Sequence, residues 1–187
     1  MNNGAFKTAV TGLSKLANGI AISANAVGTI VVLLLVLVVN YDVVARGIFN
    51  KPFLGAVEVV QFSMVLIVFL QLPDVVRVNR LTRSDGFLAV IGERRPGLAR
   101  SMRRVINFVS GVFMTLIAVA IWPEFAENWE SKDFFGIPGV FTAPWWPIKL
   151  VIFLSATLCV VIFGLKVITG RESPEMIRTL EHEEPAE

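Results

Sequence analysis

Apolar residues come in four long runs along this chain, separated by polar and charged stretches. The first is centred on residues 26–39 (AVGTIVVLLLVLVV) and extends from about 23 to 44. The second, residues 56–73 (AVEVVQFSMVLIVFLQLP), carries Glu58 near its start. The third, residues 105–122 (VINFVSGVFMTLIAVAIW), holds no charge, and the fourth covers about 147 to 168, uncharged between Lys149 and Lys166. A helix needs about 20 largely apolar residues to cross the hydrocarbon core. Inside lipid its backbone groups must be satisfied within the segment. The runs therefore predict four transmembrane helices, despite their β-branched content, and an all-α integral membrane fold.

Ahead of the first run, Phe6, Val10, Leu13, Leu16, Ala17 and Ile20 recur at helical spacing, with Lys7, Thr8, Thr11, Ser14, Lys15 and Asn18 opposite. This pattern predicts an amphipathic interfacial helix over residues 1–22; the alternative is the slightly polar start of the first span. The long apolar run follows the candidate cleavage site Ala24-Asn25-Ala26, so the first run reads as a retained span, not a signal peptide. Residues 23–168 then form the membrane domain. The acidic tail, residues 169–187, reads as disordered and cytoplasmic.

Hydrophobic residues make up 55% of the 187 and charged residues only 17%, against ~25% charged in a soluble domain. The net charge of +2 gives no footprint for nucleic acid. One histidine, His182, and one cysteine, Cys159, leave no zinc cluster, bis-His haem, disulfide or nucleophile–base set. The expectation is a non-enzyme with no cofactor and no metal. Cys159, in mid-membrane, reads as packing.

Charge also orients the helices. With the N-terminus in the cytoplasm, the inner segments hold Lys7, Lys15, Arg77, Arg80, Arg83, Arg94, Arg95, Arg100, Arg103, Arg104, Lys166, Arg171 and Arg178. The outer segments hold only Arg46, Lys51, Lys132 and Lys149. By the positive-inside rule both termini are cytoplasmic. The arginines of the inner loop (residues 74–104) either set topology alone or dock anionic phospholipid or a partner. In that loop, Ser84-Asp85 is placed to cap a short helix through Ile91, and Pro96 to open the third span.

The outer segments differ from one another. Asn50-Lys51-Pro52 reads as a turn in the short first loop. The second, residues 123–146, is acidic, and all four tryptophans (Trp122, Trp129, Trp145, Trp146) lie in or beside it. They mark the outer membrane face or pack on another protein. Ile137-Pro138 and Pro144 before Trp145-Trp146-Pro147 predict a stiff, extended return into the fourth helix.

Glu58 is the one acid well inside an apolar run, which makes it a functional candidate. It lies about one turn into its helix, within reach of Arg46 across the short loop. A structural pair, a proton or cation site and a partner contact all remain open for it. Asp42 and Arg46 are spaced for an i,i+4 pair. No span is broken by Gly or Pro at its middle, the usual mark of a transporter substrate site. Small residues that allow close helix approach include Gly28, Ser63, Gly111, Ser155, Ala156 and Gly164, and some of these, with the second and fourth spans, are expected to face a partner.

Arg46-Gly-Ile-Phe49-Asn50-Lys51-Pro52, then Glu58 heading the second span, then the Arg-rich loop from Pro73-Asp74, resemble the small membrane subunit of TRAP transporters (tripartite ATP-independent periplasmic transporters, the DctQ-like family). The proline pattern before the last span is similar too, and the resemblance covers roughly residues 25–168. It implies a non-catalytic subunit of the bacterial inner membrane. Its partners would be a large membrane subunit carrying the substrate and sodium sites, and a periplasmic solute-binding protein that delivers an organic acid. It further implies that this chain braces the large subunit, with Arg46, Asn50, Pro52, Glu58, Trp145 and Trp146 as candidate structural or partner contacts. The alternative is a self-contained small proton- or cation-coupled transporter using Glu58.

The charge bias sets a first test. Reporter fusions at Asn50 and Asp133 should read periplasmic, and fusions at Asp85 and Glu187 cytoplasmic; a cytoplasmic signal at Asp133 would break the topology.

Overall fold

The computed structural model describes residues 3–51, 53, 55–78, 96–137 and 141–169. Pro52, Pro138, Arg80, Arg83, Arg94, Arg95, the expected helix over residues 84–91 and the tail from residue 170 lie outside the described residues. The elements are α1 (Asn3–Phe49), α2 (Ala56–Arg77), α3 (Pro96–Ser131), β1 (Phe134–Ile137), β2 (Phe141–Pro144) and α4 (Trp146–Thr169). All four helices contain a stretch long and apolar enough to cross a membrane. Their spatial order is α1, α2, α4, α3: α1 packs on α2, α2 on α4 and α4 on α3, with a smaller α1–α4 contact.

α1 is one continuous helix of 47 residues, about 70 Å long at 1.5 Å per residue, more than twice the ~30 Å hydrocarbon core. No break separates residues 3–22 from the first span, so the expected interfacial helix is the start of α1. On its inward face Ala17 and Ala21 are buried, while Leu13, Leu16 and Ile20 are exposed. Small side chains admit a neighbouring helix where larger ones would hold it off. Residues 10, 14, 17, 21, 24, 28, 31, 35, 38, 42 and 45 are all buried or half-buried, and nearly every residue between them is exposed. Alternating steps of four and three give a 3.5-residue period, the signature of left-handed side-by-side packing. On this seam Gly28 is the closest approach to α2: a Cβ there would lie 2.9 Å from Cγ of Gln71 and 3.2 Å from Cβ of Leu70.

The core joins all four helices. Ala17 and Ala21 of α1, Val76 of α2 and Cys159, Ile162 and Phe163 of α4 form a buried cluster, flanked by Leu72, Met114, Leu158 and Val161. Three of the six small residues named above serve the interior. Gly28 is covered by α2, and Ser155 and Ala156 are buried.

Two helix ends differ from the hydropathy reading. α2 continues through Pro73 to Arg77, and α3 continues through Pro123 to Ser131. An interior proline removes a hydrogen bond and costs about 3 kcal/mol in water, but packing and local polar contacts make it tolerable in membrane helices. The Pro73 ring is fully buried. Beyond Pro123, the side-chain amide of Asn128 donates to the Glu124 carbonyl at 2.7 Å. At the other end of α3, Pro96 is its first residue, as expected. The return toward α4 is extended, also as expected, but as an antiparallel hairpin that the all-α reading did not include, with Phe134 opposite Pro144 and Ile137 opposite Phe141.

The lipid-facing polar groups bond back to their own helices. Thr29 donates to the Asn25 carbonyl (2.9 Å), Asn40 to Val36 (2.7 Å), Thr115 to Gly111 (2.8 Å) and Thr157 to Phe153 (2.8 Å). What remains exposed is apolar, including Leu33 and Leu37 on α1 and Phe113 and Leu116 on α3.

Gly28→Leu should separate α1 from α2 and lower the thermal stability of the purified protein in detergent, by about 1–3 kcal/mol for overpacking. Gly12→Ala in the same helix, where a Cβ meets nothing within 4 Å, should leave stability unchanged or raise it by up to about 1 kcal/mol.

Candidate functional site

Polar contacts gather at the two ends of the helix row. At the Arg-rich end, Asp74 sits one residue beyond Pro73, where α2 passes the Asn25 side of α1. Its Oδ2 accepts from the Asn25 amide at 2.9 Å and its Oδ1 from Nε of Arg77 at 2.8 Å. Asp74 and Arg77 are each less than one-fifth exposed. Nearby, Nζ of Lys166 on α4 donates to the Val76 carbonyl. This set ties α1, α2 and α4 together where α2 ends.

At the opposite end, the α1–α2 turn is closed by Asp42. One of its oxygens pairs with the Arg46 guanidinium at 3.0 Å, and the other accepts from the Phe53 N–H at 2.8 Å. Asn50 adopts the left-handed conformation (φ 51), which asparagine tolerates better than most residues. The Lys51 N–H then turns back to the Ala45 carbonyl at 3.2 Å. Gly55, also left-handed (φ 98), leads into α2. Among the described residues Arg46 pairs with Asp42, which corrects the expected Arg46–Glu58 pair. The i,i+4 geometry within α1 is available without loop rearrangement, and Glu58 stands half-buried in the first turn of α2.

The tryptophans at this end take part in two groups of ring contacts. Trp122 lies 5.0 Å from Phe153 and 6.1 Å from Phe125; Phe125 lies 6.0 Å from Trp129; and Trp129 meets Trp146 edge-on at 5.3 Å. Trp145 meets Phe135 of β1 edge-on at 5.0 Å, and Phe135 continues to Phe62 of α2 at 6.4 Å. A salt bridge at 2.6 Å between Nζ of Lys149 and Glu124 adds a polar tie between α4 and α3. The hairpin base is held by the Trp145 N–H on the Asp133 carbonyl at 3.1 Å.

The candidate residues thus separate. Arg46 and Asn50 shape one turn, while Trp145 and Trp146 belong to the two aromatic groups. Arg77 is held by Asp74 rather than standing as a lipid or topology charge alone. Arg103 is half-buried and interacts within the protein, Arg104 is exposed, and the side chain of Arg100 is outside the description. Asn25, Asp74, Lys149 and Lys166 were not singled out as contacts by the sequence. Only the i,i+3 spacing of Asp74 and Arg77 signalled any of them, because Asn25 and Asp74 are 49 residues apart and Lys166 and Val76 are 90 apart. Among the described residues no group of three or more His, Cys, Asp or Glu is placed to hold a metal ion. Chemically, the arrangement positions and stiffens helices.

Asp74→Ala leaves the Arg77 guanidinium and the Asn25 amide without their acceptor, a loss of about 1–3 kcal/mol or more for buried groups. The double variant Asp74→Ala/Arg77→Ala should recover part of it in a thermal-unfolding cycle. Arg46, whose side chain is 62% exposed, should change stability by only about 0–1 kcal/mol when replaced by Ala.

Comparison with known proteins agrees with this geometry. Neither a curated relative nor a solved structure matches the chain. Residues 35–172 match the family described as "Tripartite ATP-independent periplasmic transporters, DctQ component", a stretch that takes in the C-terminal part of α1, α2, α3, the hairpin and α4. With most of its length matched and four apolar helices in place, the chain belongs to the DctQ family, the small membrane component of TRAP transporters.

Proposed function

We propose that this subunit braces the large membrane subunit of a sodium-coupled tripartite transporter that takes up organic acids, with a periplasmic solute-binding protein delivering the substrate. One observation supports the bracing role: neighbouring helices are tied to one another near both ends of the row. Asn25–Asp74 and Lys166 on the Val76 carbonyl join α1, α2 and α4 at one end. At the other, Asp42 accepts from the Phe53 N–H of the α1–α2 turn, Glu124–Lys149 joins α3 to α4, and ring contacts link α3, α4, the hairpin and α2. Between these ties the outward faces are apolar and continuous. A frame stiff at both ends resists the shear that a moving neighbour imposes, and its flat apolar faces suit either lipid or a scaffold helix. Membership of the family is what supports sodium coupling, a carboxylate substrate and the two partners in this reading.

The orientation follows the charge bias, with the Asp74 end cytoplasmic and the tryptophan end periplasmic, in a bacterial inner membrane. On the part of α1 before residue 23, the exposed Leu13, Leu16 and Ile20 lie in this reading against the inner lipid interface, as a continuation of the span.

The test is purification through a tag after Glu187, followed by reconstitution. A stoichiometric large membrane subunit should co-purify, and sodium-dependent uptake of a carboxylate should require that subunit, this chain and the binding protein together. Glu58→Gln should leave uptake within about twofold. Uptake by the lone chain, abolished by Glu58→Gln, would overturn the bracing role in favour of a self-contained transporter.

A further inference from the structure

Between α3 and α4, toward the Arg-rich end, lies an open groove of about 280 Å³. It is lined on α3 by residues from Asn107 to Thr115 and on α4 by residues from Val160 to Ile168. Its floor is low because Gly111 and Gly164 carry no side chain there. A Cβ on Gly164 would meet nothing within 4 Å, and one on Gly111 would meet only Cβ of Phe163 at an ordinary 3.5 Å. The walls are largely apolar, and the Thr115 hydroxyl already donates to the Gly111 carbonyl at 2.8 Å. The groove follows α3 for about 12 Å, so its mean cross-section is on the order of a few tens of Å². A helix about 10–12 Å across does not fit into it, whereas a single hydrocarbon chain does.

The polar end of the groove carries the complementary charge. Arg103 and Arg104 lie one helical turn beyond Asn107 and Phe108, toward the Arg-rich end. Arg104 is exposed, and Arg103 is half-buried and also interacts within the protein. A guanidinium one turn, about 5 Å, beyond the end of an apolar slot stands at headgroup depth when the slot holds an acyl chain. Arginine matches a phosphate with paired donors.

We propose that this groove is a binding site for an anionic phospholipid, with one acyl chain between α3 and α4 and the phosphate held by Arg104 and Arg103. The lipid fills a gap that the two helices leave in their own packing. Binding depends on the slot and on the charge at its end, so the two contributions are separable.

The probe is photoactivatable phosphatidylglycerol, carrying a diazirine in one acyl chain, in phosphatidylcholine vesicles containing the full chain with its co-purified membrane partner. The matched control is photoactivatable phosphatidylcholine. Because reconstituted vesicles offer both lipids in both leaflets, the outcome does not depend on which end is cytoplasmic or on the transport reading. Mass spectrometry should map adducts to residues 108–115 and 160–168, at least fivefold more with the phosphatidylglycerol probe. Gly164→Leu and, separately, Gly111→Leu should remove those adducts without changing complex yield. Arg104→Gln should keep the adducts but reduce the preference for phosphatidylglycerol to below twofold. Equal labelling by the two lipids in the wild type would overturn the proposal. So would undiminished adducts in both leucine variants, or loss of the adducts whenever the membrane partner is bound, which would mean that a protein surface covers the groove.

Discussion

Hydrocarbon supplies no hydrogen bonds, and the rest of this structure depends on that constraint. It forces each apolar run into a helix whose backbone closes on itself. The same constraint disposes of the polar side chains that the runs contain. Thr29, Asn40, Thr115 and Thr157 face outward and return their protons to carbonyls of the preceding turn. Among the described residues, charged groups tie helices together where α2 ends and at the hairpin side. A lone charge in mid-span is costly, and a pair there must first offset its own desolvation.

The middle of the row therefore has to cohere by shape. α1 meets α2 along a seam of 3.5-residue period in which the residues become small toward the Arg-rich end: Gly28, Ala24, Ala21, Ala17 and Ser14. Close approach there puts Asn25 within hydrogen-bonding distance of Asp74, so the packing at Gly28 and the polar tie at Asp74 support each other. Farther along, Asp42 occupies a position of the same seam and closes the turn to Phe53. One helix face thus carries both the apolar fit and the two polar fastenings.

Among the described residues, several charged and amide side chains serve ties within the protein, and the exposed faces of the spans are largely apolar. Glu58 fits this picture without a pairing role: an acid in the first turn of α2 meets the positive end of the helix dipole. The groove beside Gly111 and Gly164 departs from the pattern, since there two helices leave a slot between them.

The sequence alone determined the number of spans, their order, the start of α3 at Pro96 and the gathering of tryptophans at one end. Each of these is set by local sums over about twenty residues or by the backbone limits of a single proline. The family was legible for the same reason, because its features are short-range spacings around Arg46, Asn50 and Glu58. The tertiary structure decided what those sums do not contain. It carried α2 past Pro73 and α3 past Pro123, because contacts beyond each proline offset a lost backbone bond. It brought Asn25 to Asp74 and Lys166 to the Val76 carbonyl. It placed Gly28 and Ala156 inside the chain instead of on its surface. All of these depend on how each helix is rotated about its axis and on which neighbour it meets across 49 or 90 residues of chain. Hydropathy is nearly blind to rotation when a helix is apolar on every side, so only the packed structure could fix those choices.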